Sequence, residues 1–200
     1  MPSDLLEHKI FSIDGTPPSD SAVENYSKLR LLSLKVDPAS FGSTYEREVA
    51  FSKDIWFKRL SSPFKQTFIS SVRDDDGNDR WVGTVTILAP SELLPSTVEP
   101  FQRAGAAEDW DLYFLVAMWV HPEYRGKGLG KELVAAGLEW ARNNRDPKDD
   151  PQGNREKVIA LLVRDHNIGG RALYEKMKFE YLVGVASDDE KDLWMTVKCS

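Results

Sequence analysis

Apolar and polar positions along this chain fall into short runs with two different periods, and each run predicts an element. Residues 8–13 read as a first strand, closed by turn chemistry at Asp14-Gly15-Thr16-Pro17-Pro18. Ala22, Tyr26, Leu29, Leu32 and Val36 share one helical face, and the helix they predict stops before Asp37-Pro38. Thr44 with Arg47-Glu48 opens another helical pattern, with Val49, Lys53, Trp56 and Leu60 on one side. Residues 66–72 and 81–88 are rich in β-branched and aromatic side chains and predict two strands. The acidic run between them, Asp74-Asp75-Asp76-Gly77-Asn78-Asp79, reads as a solvated hairpin loop rather than a metal site. Residues 112–120 and 158–163 are apolar strands, separated by an amphipathic helix on which Leu129, Leu133, Gly137 and Trp140 recur. Residues 179–183 and 193–198 complete the strand pattern.

Two segments do not fit a simple period. Pro90, Pro95, Pro100 and Gly105 break up residues 89–109, which still carry Leu93, Leu94 and Phe101. A structureless loop of that length is uncommon, so a short helix or a flap is expected there. Residues 143–156, with Pro147, Pro151 and Gly153, form a second polar gap.

The junction between the 112–120 strand and the following helix holds the strongest chemical signal. It reads Met118-Trp119-Val120-His121-Pro122-Glu123-Tyr124-Arg125-Gly126-Lys127-Gly128-Leu129-Gly130-Lys131. A strand, a glycine turn and a helix start aim several backbone N–H groups at one point. The positive helix end makes that point an anion site. Glycine admits backbone conformations that a side chain would block and lets the ligand come close. The physics specifies a phosphate or pyrophosphate. A P-loop spacing is absent, and Gly-x-Gly-x-x-Gly fails because Lys131 stands at its last position. An ordinary glycine turn capping a helix is the bland alternative.

Composition narrows the class. Two hundred residues, 41% of them hydrophobic, can build one sizeable core. Six Trp, nine Phe and six Tyr argue against disorder. A net charge of −6 argues against nucleic acid as a partner. No stretch approaches the roughly 20 apolar residues of a membrane span, and residues 1–13 have no signal core. The single cysteine, Cys199, demands no oxidising compartment and has no base partner for a covalent acyl-enzyme. The expectation is a cytoplasmic or nuclear protein without a metal, acting as a monomer or homodimer.

Embedded as it is, Arg125-x-x-Gly128-x-Gly130 after Val120-His121-Pro122 closely resembles the acetyl-CoA-binding motif of the GNAT superfamily of N-acetyltransferases. A second constellation agrees. Asn167 and Tyr174 lie two turns apart on one helical face. Asn167, Leu173, Tyr174 and Phe179 are similar to the family's second CoA motif, with Gly170 in place of its alanine and Lys178 in place of its glycine. Arg30-Leu31-Leu32-Ser33-Leu34 and the stretch from Asp37-Pro38 to Tyr45-Glu46 look like the N-terminal helical segment of one GNAT subgroup.

The resemblance implies one N-acetyltransferase domain over residues 1–200, with its core over about 8–198. It implies an α/β (α+β) fold: a mixed, curved sheet of about six to seven strands, helices on both faces, and a splay between two parallel central strands. Acetyl-CoA is the implied cosubstrate and a primary amine, on a small molecule, peptide or protein, the implied acceptor. Met118, Trp119 and Val120 would form the cofactor strand, with Met118 and Val120 holding the pantetheine arm like an added strand. Amides of Arg125, Gly126, Lys127, Gly128, Leu129, Gly130 and Lys131 would bind the pyrophosphate. The amine attacks the thioester directly in a ternary complex, a strand amide such as that of Val120 stabilises the oxyanion, and Tyr174 protonates the leaving thiolate. Asn167 would order the cofactor and its loop. Glu46, Glu48, Asp109 and Asp111 are the candidate bases, none singled out. His121 and His166 read as solvent-facing loop residues, and Phe41, Tyr45 and Trp56 as core or acceptor-side aromatics. Two other readings stay open: a CoA-binding regulatory module without turnover, and an unrelated α/β protein whose glycine turn serves a nucleotide.

Overall fold

The structure is a computed structural model that describes residues 7–14, 17–74, 76–187 and 189–199; Gly15, Thr16 and Asp75 of the expected turns lie outside them. Seven strands form one mixed sheet in the order β1-β2-β3-β4-β5-β7-β6. They are β1 (His8–Ser12), β2 (Lys65–Arg73), β3 (Asp79–Leu88), β4 (Trp110–Val120), β5 (Glu156–Arg164), β6 (Glu180–Tyr181) and β7 (Asp192–Lys198). Only β4 and β5 pair in parallel; every other neighbour pair is antiparallel.

Side-chain alternation along β4 sorts the helices onto two faces. Tyr113 and Leu115 join a buried cluster with Leu129, Leu133, Val134 and Ala141 of α5 (Leu129–Asn143) and Tyr174 of α6 (Ile168–Lys176). Leu112 and Phe114 point the other way. They join Phe101 of α4 (Pro95–Arg103) and Trp194. That second face is shared with α1 (Asp20–Val36) and α3 (Lys53–Leu60), which pack Val23, Tyr26, Leu29 and Trp56 against Ile69 and Trp119. The sheet is thus buried on both sides, as the resemblance implies.

Local chemistry explains the element ends. Ser19 Oγ accepts from Ala22 N–H at 3.2 Å to start α1, and Pro38 forbids its continuation past Asp37. The pattern expected to run from Thr44 to Leu60 is two helices, α2 (Tyr45–Val49) and α3. Ser52 Oγ caps Ile55 N–H at 3.4 Å, and Phe51 turns in to meet the Trp56 ring edge-on at 5.5 Å. A polar cap at Ser52 and a half-buried aromatic at Phe51 outweigh the helical period. Residues 89–109 hold the short helix α4, which starts at Pro95 and is no flap. Its Phe101 is fully buried, edge-on to Phe114 at 5.6 Å and Trp194 at 4.8 Å. The strand expected over 179–183 shrinks to β6; the Leu182 N–H still reaches Trp194 O at 2.9 Å, and Leu182 and Val185 join the cluster around Trp194.

Candidate active site

β4 keeps two different neighbours for two different lengths. On one side its ladder with β3 runs to the end, Gly83 facing Val120. On the other, the parallel ladder with β5 stops at Phe114–Ala160, while β5 stays paired with β7 as far as Arg164–Asp192. Beyond Phe114 the two parallel strands therefore diverge, and one edge of β4 carries no strand. A bulge falls in the same stretch. Thr84 faces Trp119 and Thr86 faces Val116, so three steps on β4 oppose two on β3, and Ala117 takes φ 55°. The His121 N–H reaches Val82 O at 2.7 Å. Antiparallel ladder bonds alternate, so Val120 turns its N–H and C=O to the open edge.

The turn that follows is made of backbone. A 3-10 turn over Pro122–Tyr124 leads to Gly126 at φ 76° and Gly128 at φ 92°, conformations open to glycine at no steric cost. Among the described residues, none of the backbone N–H groups from Gly126 to Lys131 finds an acceptor. The first ladder bond of α5 runs from Glu132 N–H to Gly128 O. Unpaired donors at a helix N-terminus, with Lys127 and Lys131 exposed beside them, fit an anionic ligand such as a pyrophosphate. The Arg125 N–H is different: Pro122 O accepts it at 3.2 Å. Its guanidinium is also engaged, donating from Nε to Val120 O at 2.9 Å and pairing with Asp37. Of the turn residues expected to offer amides, Arg125 is the one whose amide is taken.

Other expected site residues divide between backbone and packing. Trp119 and Leu129 bury their side chains in opposite clusters. Met118 packs toward α6, and Gly130 is the contact point. A Cβ there would sit 3.2 Å from Leu173 Cδ2 and 3.4 Å from Met118 Cε. Gly130 thus lets α5 lie close to both β4 and α6. Asn167 caps α6, its Oδ1 accepting from Gly170 N–H at 2.9 Å. A Cβ at Gly170 would stand 2.8 Å from Asn167 Nδ2, so glycine in place of the family's alanine makes room for this cap. Tyr174 lies in the same buried cluster as Val120 and Leu129, against the Phe179 ring at 5.6 Å, and makes no side-chain hydrogen bond among the described residues. Burial pushes its phenol well above the usual range, so it keeps its proton. Lys178 takes φ 68° without being glycine, yet the helix end is intact, with Phe179 N–H on Tyr174 O at 3.0 Å.

Three of the four carboxylates considered as bases are elsewhere or engaged. Glu48 is fully buried and accepts from Arg30 at 2.9 and 3.0 Å and from Arg59 at 2.6 and 3.2 Å. Burial alone would raise its carboxyl, but the two guanidinium partners overcome this and hold it at about 2. Asp109 and Asp111 lie at the opposite, closed end of the β4–β5 ladder, where Asp111 faces Lys157. Glu46 is exposed on α2. Trp56 is core, Phe41 lies under the Arg30 guanidinium at 4.5 Å, and Tyr45 under Lys35 at 4.3 Å. His166 is exposed as expected. His121 is not: its ring sits between Trp119 and Tyr124 at 5.7 and 5.8 Å. Asp37 was missed as a site residue because its partners, Trp119 and Arg125, lie 82 and 88 positions away.

Comparison with known proteins agrees with this geometry. No curated protein sequence matches. Among solved structures, the chain resembles an acetyltransferase of the GNAT family from Streptococcus pneumoniae, with TM-score 0.58 and 18% identity over 96% of this chain and 99% of that one. It resembles Arabidopsis thaliana NAA60 bound to acetyl-CoA, with TM-score 0.56 and 13% identity over 96% and 98%. The ribosomal-protein-S18-alanine N-acetyltransferase of Escherichia coli follows at TM-score 0.51 and 14% identity, over 96% and 94%. These likenesses are in the fold. The profile of the acetyltransferase (GNAT) family matches residues 31–179, which span the divergent strands, the glycine turn and α6, and the chain belongs to that family.

Proposed function

We propose that this protein is an acetyl-CoA-dependent N-acetyltransferase that passes the acetyl group to a primary amine by direct attack in a ternary complex. The observation that carries this reading is the row of unpaired N–H groups from Gly126 to Lys131, set beside the strandless edge of β4. Pyrophosphate oxygens accept from the turn, and the open edge at Met118 and Val120 takes the pantetheine arm as a strand substitute. The Val120 N–H, turned to that edge, is the donor for oxyanion charge at the thioester carbon. Tyr174 holds its proton and donates it toward the thiolate as CoA leaves. Asn167 orders α6 through its cap.

The acceptor class is a primary amine on a small molecule, a peptide or a protein. The S18-alanine enzyme, named for a ribosomal-protein acceptor, supports including the last. One observation favours the second reading, a CoA-binding module without turnover. Glu48, Asp109 and Asp111 are unavailable as bases at the open end. Thiol release from acetyl-CoA across small amines, polyamines, amino acids and basic peptides separates the two, with the rate lacking acceptor subtracted. Release with one acceptor class, lost in Gly128→Glu, is the expected result. Silence across the panel with CoA still bound supports the module instead. Tyr174→Phe is expected to lower turnover about a hundredfold with CoA affinity nearly unchanged; unchanged turnover leaves Tyr174 as packing.

A further inference from the structure

The unassigned residue with the most telling contacts is Asp37, at the C-terminal end of α1. Its Oδ2 accepts from the Trp119 indole Nε1–H at 2.6 Å and also from the Arg125 guanidinium. Arg125 in turn donates from Nε to Val120 O at 2.9 Å. These bonds close a ring: Asp37, the Trp119 side chain, the backbone to Val120 O, the Arg125 guanidinium, and Asp37 again. Two of its members, Trp119 and Val120, are the last residues of β4, where the strand has lost its β5 neighbour. The ring therefore supplies the constraint that a paired strand would have supplied.

Two simpler roles do not account for these contacts. Helix ending needs only the Asp37 backbone N–H, which bonds Ser33 O at 2.9 Å. An isolated surface pair with Arg125, itself half-exposed, would contribute little. However, Trp119 is 4% exposed, and a buried indole N–H requires an acceptor. The Val120 C=O points to the open edge and is held in place by Arg125. Its orientation fixes that of the Val120–His121 peptide, and hence the geometry of the edge on which a pantetheine amide would pair.

We propose that Asp37 is a positioning residue that sets the open edge of β4 for the pantetheine arm of CoA, acting through Trp119 and Arg125. This rests on the cofactor reading above. It assigns the acidic partner of Arg125 within the chain itself, on the helix that walls the opposite face of the sheet. Arg125 thereby joins α1 to the cofactor turn.

Calorimetry with two probes tests it: CoA, and adenosine 3′-phosphate 5′-diphosphate, which keeps the pyrophosphate and lacks pantetheine. Asp37→Ala is expected to weaken CoA about tenfold while the fragment binds within about twofold of wild type, because loss of positioning is felt only along the arm. Asp37→Asn, which keeps an acceptor oxygen, is expected to fall between the two. Arg125→Met is expected to match Asp37→Ala, and the double variant to be no weaker than either, since both break one ring. Equal weakening of both probes overturns the proposal, as general loosening of the fold does that. Unchanged CoA affinity in a folded Asp37→Ala protein overturns it as well. If the wild-type protein binds no CoA, the cofactor reading fails and this proposal with it, an outcome distinct from wild-type binding matched by the variant.

Discussion

At its C-terminal end β4 runs into a glycine turn whose N–H groups from Gly126 to Lys131 find no acceptor among the described residues; at its N-terminal end it meets residues 144–155, where carboxylates take several of the N–H groups. There Asp149 accepts from Asp146 N–H at 3.0 Å, Asp146 from Lys148 N–H at 2.8 Å, and Asp111 from Asp150 N–H at 3.0 Å. Asp150 in turn accepts from Gln152 and Asn154 N–H at 3.2 and 2.6 Å. A cavity of about 730 Å³ lies at this closed end, lined by Asp111, Asp146, Asp149, Lys157 and Cys199. Its main charges already have partners: Lys157 reaches Asp149 at 3.3 Å, and Tyr113 donates to the same carboxylate at 3.0 Å. Both ends combine glycine or proline with polar residues. What separates them is donor satisfaction. The turn N–H groups lie on mostly exposed residues at a helix N-terminus, where unpaired donors and the positive helix end favour an anion.

The strongest test of this contrast concerns how the open end is held from behind. Glu48→Gln leaves Arg30 and Arg59 without their shared anion and is expected to cost about 3–5 kcal/mol in chemical denaturation. CoA affinity of the folded fraction should survive, because the turn is backbone. Loss of affinity greater than loss of stability would show that the turn depends on these helices directly. The same ion cluster has a pH signature. The Glu48 carboxyl is depressed to about 2 from an ordinary 4.5, so its stabilisation is complete above pH 4.5 and is lost as pH falls toward 2. Asp111, at the closed end, has the opposite sign. Burial raises it above its ordinary 3.8, opposed by the Asp150 N–H, so its charge costs stability above the folded value and that cost vanishes on acidification. Acid denaturation of wild type and Glu48→Gln should converge at low pH; parallel curves would contradict the assignment.

At the closed end, Asp146→Ala strips acceptors from Ser91 and Lys148 and is expected to cost about 2–3 kcal/mol, with CoA affinity unchanged. A change in affinity would mean that the two ends communicate. The smallest effect is expected at Lys178. Glycine there removes the strain of a left-handed lysine and should stabilise by about 0.5–1 kcal/mol, raising Tm by roughly 2 °C. A lower Tm would show that the lysine side chain is more than a tolerated occupant.

The same contrast explains what could be read in advance. The turn was legible because its function lies in backbone: Gly126, Gly128 and Gly130 write the geometry into the chain directly. Periodicity likewise placed β2 to β5, α1 and α5, since each buries a wide apolar face. Contacts between distant side chains left no local trace. Nothing near Glu48 indicates that Arg30 and Arg59 will neutralise it, and nothing near Asp37 points to Trp119. The break between α2 and α3 was hidden because Ser52 and Phe51 look ordinary until one caps and the other packs. α4 was obscured by its prolines, which start and punctuate a helix whose only fully buried anchor is Phe101.

The central claim is that the open amides of the glycine turn belong to the pyrophosphate of CoA. Calorimetric titration of CoA, ATP and NAD into the wild-type protein and into Gly128→Glu tests it most directly. The expected result is CoA binding at one site in wild type, far weaker binding of ATP and NAD, and no CoA binding by a folded Gly128→Glu protein. Undiminished CoA affinity in that variant, or a preference for ATP or NAD over CoA, would contradict it.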